Sequence, residues 1–509
     1  MSHVADTVRA RAARVVVLVI VLAAACLVGV AAPAADAGSR DDRPRRWVGY
    51  PIPADGDAAG GWIGGYRVGG KKLFLTTPTR NPNRAGYAAQ QEVEDVPGRT
   101  ASRAETARAA WILSKYGAYR DATQAAAVDA SVYHLLVGGP WRTTGPRGAR
   151  RIRQSGDRAS VARFARIMLR QSRASAGRYS ASLTAAATDV GGAVGVTLSV
   201  TDGHGRPAAG LPVALTMSGV APVSAVTGDD GRAVARFAAQ MRGWQDVSAT
   251  VSQVPEHRLH AWAAKKGRQA SAAEGGVRRT LVASTRAAVR GPQTLSMTAS
   301  PSTAIVGTPI RVVGKVSGDR APRTGTATFH GPFMSAAEAD CSVPAAATVI
   351  LAVEGDGDYA WPAVTPGAGG YYAWRIAVDG TDTNVPISAC GAVVKVRGRA
   401  TVALAAPGTA AVYGVVSAQV TVAGLPFGRP VDLTTTLDGP YATAAEITCT
   451  GNHRDVTQHQ PDGNGTFTSL SVQVVASGWY AWRSAVPEGD LWLGATSACG
   501  VVGSVTQVQ

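Results

Sequence analysis

Two periods of apolar spacing divide the chain. From about residue 179 onward, apolar residues recur at every second position, as in Val194, Val196, Leu198 and Val200, and again in Val247, Ala249 and Val251. A period of two sends successive side chains to opposite faces, so each run predicts a strand with one buried face. Thr201-Asp202-Gly203-His204-Gly205-Arg206-Pro207 and Thr227-Gly228-Asp229-Asp230-Gly231 break the alternation with turn residues. Short strands separated by such turns predict antiparallel sandwiches.

Between about residues 45 and 178 the period changes. Gly61 to Leu75 reads as a β-hairpin, two apolar runs around a glycine turn. Ser102 to Tyr116 predicts a helix with Ala104, Ala107, Trp111 and Ile112 on one side and Gly117 as its stop. Asp121 is placed to cap a second helix, in which Val128, Val132 and Leu135 fall at i, i+4 and i+7. Ser160 to Ser175 predicts a third, with Val161, Phe164 and Met168 apolar and arginines elsewhere.

The first 37 residues read as an export signal. Arg9, Arg11 and Arg14 precede an almost unbroken apolar run from Val15 to Ala32, and Ala35-Asp36-Ala37 fits a cleavage site. Cleavage after Ala37 releases the chain; an uncleaved segment would tether it to the membrane, since about 18 apolar residues can just span a bilayer. Cys26 is a weak lipidation candidate, because Leu27, Val28 and Val30 continue the apolar run beyond it. Val505 to Gln509 reads as a strand end without a sorting sequence.

The last two hundred residues are a tandem copy. Gly331-Pro332-Phe333-Met334-Ser335-Ala336-Ala337-Glu338 before Cys341 matches Gly439-Pro440-Tyr441-Ala442-Thr443-Ala444-Ala445-Glu446 before Cys449. Tyr372-Ala373-Trp374-Arg375 matches Tyr480-Ala481-Trp482-Arg483, and Ser388-Ala389-Cys390-Gly391 matches Ser497-Ala498-Cys499-Gly500. The spacing of about 108 residues is one sandwich's length. The repeat predicts one disulfide per copy, Cys341–Cys390 and Cys449–Cys499. No CxxC spacing supports zinc. Trp374 and Trp482 are expected in the cores beside the bridges.

Two resemblances sharpen this picture. The middle segment, "V-x-D-x-x-G-x-P-x-x-G-x-P-V … T-x-x-D-G-x-A … V-x-A-T-V" over about 80 residues, resembles bacterial Ig-like (Big) domains. That resemblance implies a spacer or adhesion module. Thr123-Gln124-Ala125-Ala126 opening a helix after the hairpin Tyr66-Arg67-Val68-Gly69-Gly70-Lys71-Lys72-Leu73-Phe74 resembles the TQxA domain of Cys-Gln thioester-forming surface proteins. In that family a hairpin cysteine condenses with the glutamine, and the activated acyl group captures an amine on the target. Here Gln124 is present, but the cysteine position falls near Leu75, and no cysteine lies between Cys26 and Cys341. The resemblance therefore implies a thioester-type fold without its thioester; an unrelated α+β domain containing Thr-Gln-Ala-Ala is the alternative. His134 is expected to be structural.

At 509 residues, 46% hydrophobic and 17% charged, with Gly 59 and Pro 28, the composition is that of several folded, turn-rich domains. The expected division is a signal peptide 1–37, an α+β head 38–141, an Arg-rich connector 142–178, an Ig-like domain 179–292, and disulfide-bearing Ig-like repeats 293–398 and 399–509. The fold class is mainly β.

Charge marks the candidate contact surface. The net +16 is concentrated between Arg142 and Arg178, where eleven arginines face one aspartate, and between Lys265 and Arg290. Arg150, Arg151, Arg153, Arg163, Arg166 and Arg170 are the candidate contacts to an anionic envelope polymer, surface glycan or protein; a solvated basic connector is the alternative. Nucleic acid is not expected of an exported chain. No HExxH, GxSxG, SxxK or Walker sequence occurs. Glu256-His257 and His260, on an expected strand, would point to opposite faces. Asp356/Asp358 and Asp462/Asn464 read as hairpin turns. No catalytic residue, cofactor or metal is expected. Non-covalent adhesion or an envelope-associated structural role leads, ahead of a membrane-tethered scaffold or a hydrolase in the head.

Overall fold

The computed structural model describes residues 44–53, 61–80, 82, 85–96, 101–265, 270–428, 430–450, 453–459 and 463–509. The expected leader, Cys26 and Asp462 lie outside them.

The head opens with β1 (Arg45–Pro51), β2 (Trp62–Val68), β3 (Lys71–Leu75) and β4 (Gln91–Val93). Val68 pairs with Lys71, with Gly69 and Gly70 between them at φ 50° and 81°. Two consecutive positive φ values give the turn whose twist suits a hairpin, and glycine adopts them without a Cβ clash. Four helices follow: α1 (Arg103–Tyr116), α2 (Ala122–Leu136), α3 (Pro146–Gln154) and α4 (Arg158–Ser175). Ser102 and Glu105 form a reciprocal capping box on α1, while Asp121 and Asp157 cap α2 and α4. α2 is the centre of the head. Every residue from Ala125 to Tyr133 is buried, as expected for a helix enclosed by β1, β2, α1 and α4. The face of α1 differs from the expected one. Ala104 is exposed and Ala109, Ala110 and Leu113 are buried with Trp111 and Ile112, because α1 packs against two helices and the following domain.

That domain runs through β5 (Ser180–Ala185), β6 (Thr188–Asp189), β7 (Ala193–Thr201), β8 (Pro212–Met217), β9 (Val220–Val226), β10 (Arg232–Ala238), β11 (Gly243–Pro255), β12 (Leu259–Trp262), β13 (Ala272–Glu274) and β14 (Arg278–Arg290). The sheet β10-β7-β5 faces the sheet β6-β14-β11-β8-β9. β12 and β13 leave this sandwich and complete the head sheet, whose order is β1-β2-β3-β13-β12-β4. Leu73, Phe74 and Leu75 pair with Glu274, Ala273 and Ala272, and Val93 pairs with Leu259.

The structure therefore differs from the expected boundaries at 141/142 and 178/179. Residues 142–178 are no connector: α3 and α4 pack on the head, with Val161, Ala165 and Met168 buried. Head and middle domain share one apolar core that runs from Ile63 and Phe74 through Val128 and Val132 to Leu198, Ala249 and Val289.

The two C-terminal repeats have the same construction. Strands Thr294–Ser300, Arg311–Ser317 and Gly357–Ala360 form one sheet of the first, facing a sheet built on Arg323–Phe333, Gly370–Val378 and Ile387–Arg399. In all three sandwiches a short early strand pairs in parallel with the last strand: β6 with β14, Thr303–Ile305 with Lys395–Arg397, and Thr409–Ala410 with Gln507–Val508. These are tandem Ig-like β-sandwiches, and the protein is mainly β. Both expected disulfides are formed, with Cα separations of 6.1 Å for Cys341–Cys390 and 6.0 Å for Cys449–Cys499. Trp374 and Trp482 are fully buried.

Candidate functional site: the head and its junction with the first sandwich

Gln124 sits in the first turn of α2. Its backbone N–H donates to the Asp121 carboxylate (2.7 Å) and its side-chain amide donates to the Tyr116 carbonyl (3.4 Å). Leu75 ends β3, is 2% exposed, and belongs to an apolar cluster with Tyr66, Tyr133, Trp141 and Ala270. Tyr133 lies nine residues beyond Gln124, about 13 Å along the helix axis. The glutamine is thus engaged at one end of α2, while the leucine is packed with residues of the other. His134 accepts the Thr143 N–H at Nδ1 (3.2 Å), and burial together with Arg108 lowers its pKa.

The six candidate arginines do not act as one set. Arg150, Arg153, Arg163, Arg166 and Arg170 are exposed on α3 and α4. Arg151 is buried and bridges to Asp129 of α2 at 2.6 Å, correcting its assignment as a surface contact. Its guanidinium also donates to the Trp62 carbonyl (3.1 Å) and lies over the Tyr133 ring (5.0 Å). Burial pushes the Asp129 carboxyl up to about 6, against the pull of the guanidinium. A sequence signal existed: Asp129 is the one acid in a mostly apolar helix, and a buried charge requires a partner.

On α4, Arg163, Arg166, Arg170 and Arg173 fall at i, i+3, i+7 and i+10 and are exposed, a stripe about 15 Å long. The opposite side of α4 is occupied: Val161, Ala165, Met168 and Ser172 are buried, and Arg108 donates to Leu169 O (3.0 Å) and Ser172 Oγ (3.3 Å). An apolar face already committed to the head cannot enter a bilayer. The side of the helix left exposed carries charge.

At the junction, Glu256 ends the expected strand with a turn, so His257 and His260 do not split across two faces. Glu256 Oε1 is 3.0 Å from His257 Nδ1, and Oε2 is 3.7 Å from His260 Nε2. Burial opposes ionisation of Glu256, but His260 and the N–H groups of His257 and Arg258 bring its carboxyl down to about 2. The Glu256 N–H donates to Ser114 Oγ of α1 (3.0 Å). Among the described residues no group of three or more His, Cys, Asp or Glu side chains could hold a metal ion, and no helix is long and apolar enough to cross a membrane.

The class these features define is a tandem Ig-like protein whose first sandwich is fused to a helical, arginine-faced head. No protein-family model matches the chain, and no curated protein matches it. The likeness to thioester domains thus rests on the quoted residues alone. Among solved structures, the chain is similar to a three-Ig fragment of titin, with 10% identity and a TM-score of 0.32 over 65% of this chain and 98% of that one. Invasin, described as a bacterial integrin-binding protein, gives 16% identity and a TM-score of 0.24, covering 65% of this chain and 60% of that. The Yersinia pseudotuberculosis adhesin InvE gives 15% and 0.20, covering 43% and 58%. Scores this low assign no residue of this chain a role.

Proposed function

We propose that this protein is exported and works outside the cell as a non-covalent binding protein, docking the arginine face of its head onto an anionic envelope polymer. The observation that carries this reading is the exposed stripe Arg163-Arg166-Arg170-Arg173, flanked by exposed Arg147, Arg150 and Arg153. Guanidinium groups pair with phosphate and carboxylate in bidentate fashion, and such a row suits a repeating anion. Two disulfides fit an oxidising compartment. The absence of any cysteine between Cys26 and Cys341 removes thioester capture, so adhesion by this head is reversible.

Co-sedimentation of the full chain with cell-wall fragments, before and after hydrolytic removal of their phosphodiester polymers, tests the docking. Binding is expected to fall on removal, to weaken from about 50 to about 500 mM salt, and to drop in the triple variant Arg163→Ala/Arg166→Ala/Arg170→Ala. Equal binding to stripped and intact walls refutes it. A secreted form beginning at Gly38 is the expected mass-spectrometric signature of export.

A further inference from the structure

We propose that the cleft between α1 and the first sandwich binds a small anionic ligand, a carboxylate, sulfate or phosphate group on a sugar-sized body, held between Lys115 and Arg278. The cleft encloses about 400 Å³ and is lined by Trp111, Lys115, Tyr179, Asp202, Gln253 and Arg278. That is more room than a bare ion fills and lies within the range of small-ligand sites, which favour domain junctions.

The Lys115 ammonium makes no hydrogen bond or ion pair among the described residues; it lies over the rings of Trp111 (4.9 Å) and Tyr116 (5.7 Å). Arg278 spends one N–H on Gln253 O (3.0 Å) and one on Lys115 O (3.3 Å), leaving most of its five donors unused. Two half-buried cations therefore face one cleft. Burial, and then the neighbouring guanidinium, lowers the Lys115 pKa, as an uncompensated pair requires. The nearby acid does not supply the missing charge. Asp202 Oδ1 accepts the N–H groups of His204 (2.9 Å) and Arg206 (3.0 Å), and Oδ2 faces Arg206 at 3.8 Å. An anion seated between Lys115 and Arg278 would satisfy idle donors and relieve their repulsion together. Gln253 holds φ 58° at a bulge in β11, which turns its carbonyl onto Arg278; a non-glycine residue kept there is the kind of strain found at binding sites.

None of the stripe's arginines lines the cleft, and the test separates the two sites. Isothermal titration of the full chain with glucuronate, glucose 6-phosphate and glucose 6-sulfate, and with glucose as control, reads binding directly. At least one acidic sugar is expected to bind, and glucose is not. Lys115→Met removes the charge without breaking any hydrogen bond and is expected to weaken binding by about tenfold or more. Lys115→Arg is expected to retain it, and Arg163→Ala/Arg166→Ala/Arg170→Ala to leave it unchanged. Binding of none of the three acids, equal binding of glucose, or full binding by Lys115→Met with an unchanged thermal melt overturns the proposal.

Discussion

The Asp129–Arg151 pair offers a test with a calculable size. Both side chains are almost wholly buried, the carboxylate 2% and the guanidinium 10% exposed, and they meet at 2.6 Å. At an effective dielectric near 20, charges about 4 Å apart attract by about 4 kcal/mol. Asp129→Asn removes that attraction and leaves a buried guanidinium uncompensated, which costs about 3–5 kcal/mol. Arg151→Met leaves the carboxylate instead, at a similar cost. Asp129→Leu/Arg151→Met removes both charges together and is expected to lie near the parent stability, or above it by about 1–4 kcal/mol. Thermal and urea unfolding measure the cycle; in a unit of about 250 residues, 3 kcal/mol lowers Tm by about 6–12 °C. Arg153→Met, on the exposed side of the same helix, should change stability by less than about 0.5 kcal/mol. Single substitutions costing under about 1 kcal/mol, or a strictly additive double variant, would refute the reasoning.

Other outcomes follow from the same structure. Replacing Cys341 and Cys390 by serine opens a loop of 49 residues and is expected to cost about 4 kcal/mol on the chain-entropy model, read by denaturant unfolding of the oxidised protein against the variant. The Glu256 carboxyl is lower in the folded state, about 2 against an ordinary 4.5. Its contribution is therefore full above pH 4.5 and is lost as pH falls from there towards 2; Glu256→Gln should flatten the stability profile in that window and leave it unchanged in shape above. Because head and first sandwich share one core, calorimetry should show them unfolding in a single transition, and two separate transitions for them would contradict that sharing.

Much of the sandwich region is legible in the sequence because its signals are local. Alternation at Val194–Val200 and the turn at Asp202–Pro207 act within a few residues of where they are read, while the cysteines, 49 and 50 residues apart, are paired by the repeat. The junction is less legible because its cause is distant. Ala272 and Ala273 carry no strand signal of their own; they pair because β3 presents an open edge beside them. Arg151 reads as one more member of a basic run, since nothing adjacent shows that Asp129 lies buried 22 residues earlier. Glu256 reads as mid-strand because its partners, Ser114, His257 and His260, come from a helix, a turn and the next strand. The arginine stripe, by contrast, follows from helical spacing alone.

The hairpin lent to the head also sets the order in which this polypeptide can be assembled. Leu75 waits for Ala272, about 200 residues downstream, so a chain emerging N-terminus first presents β3 with bare amides and carbonyls until the ninth strand of its neighbour has long cleared. Such distant pairing slows folding and exposes a sticky edge meanwhile. Any truncation that stops short of Glu274 strands the first module in that unfinished condition, however complete it looks on paper.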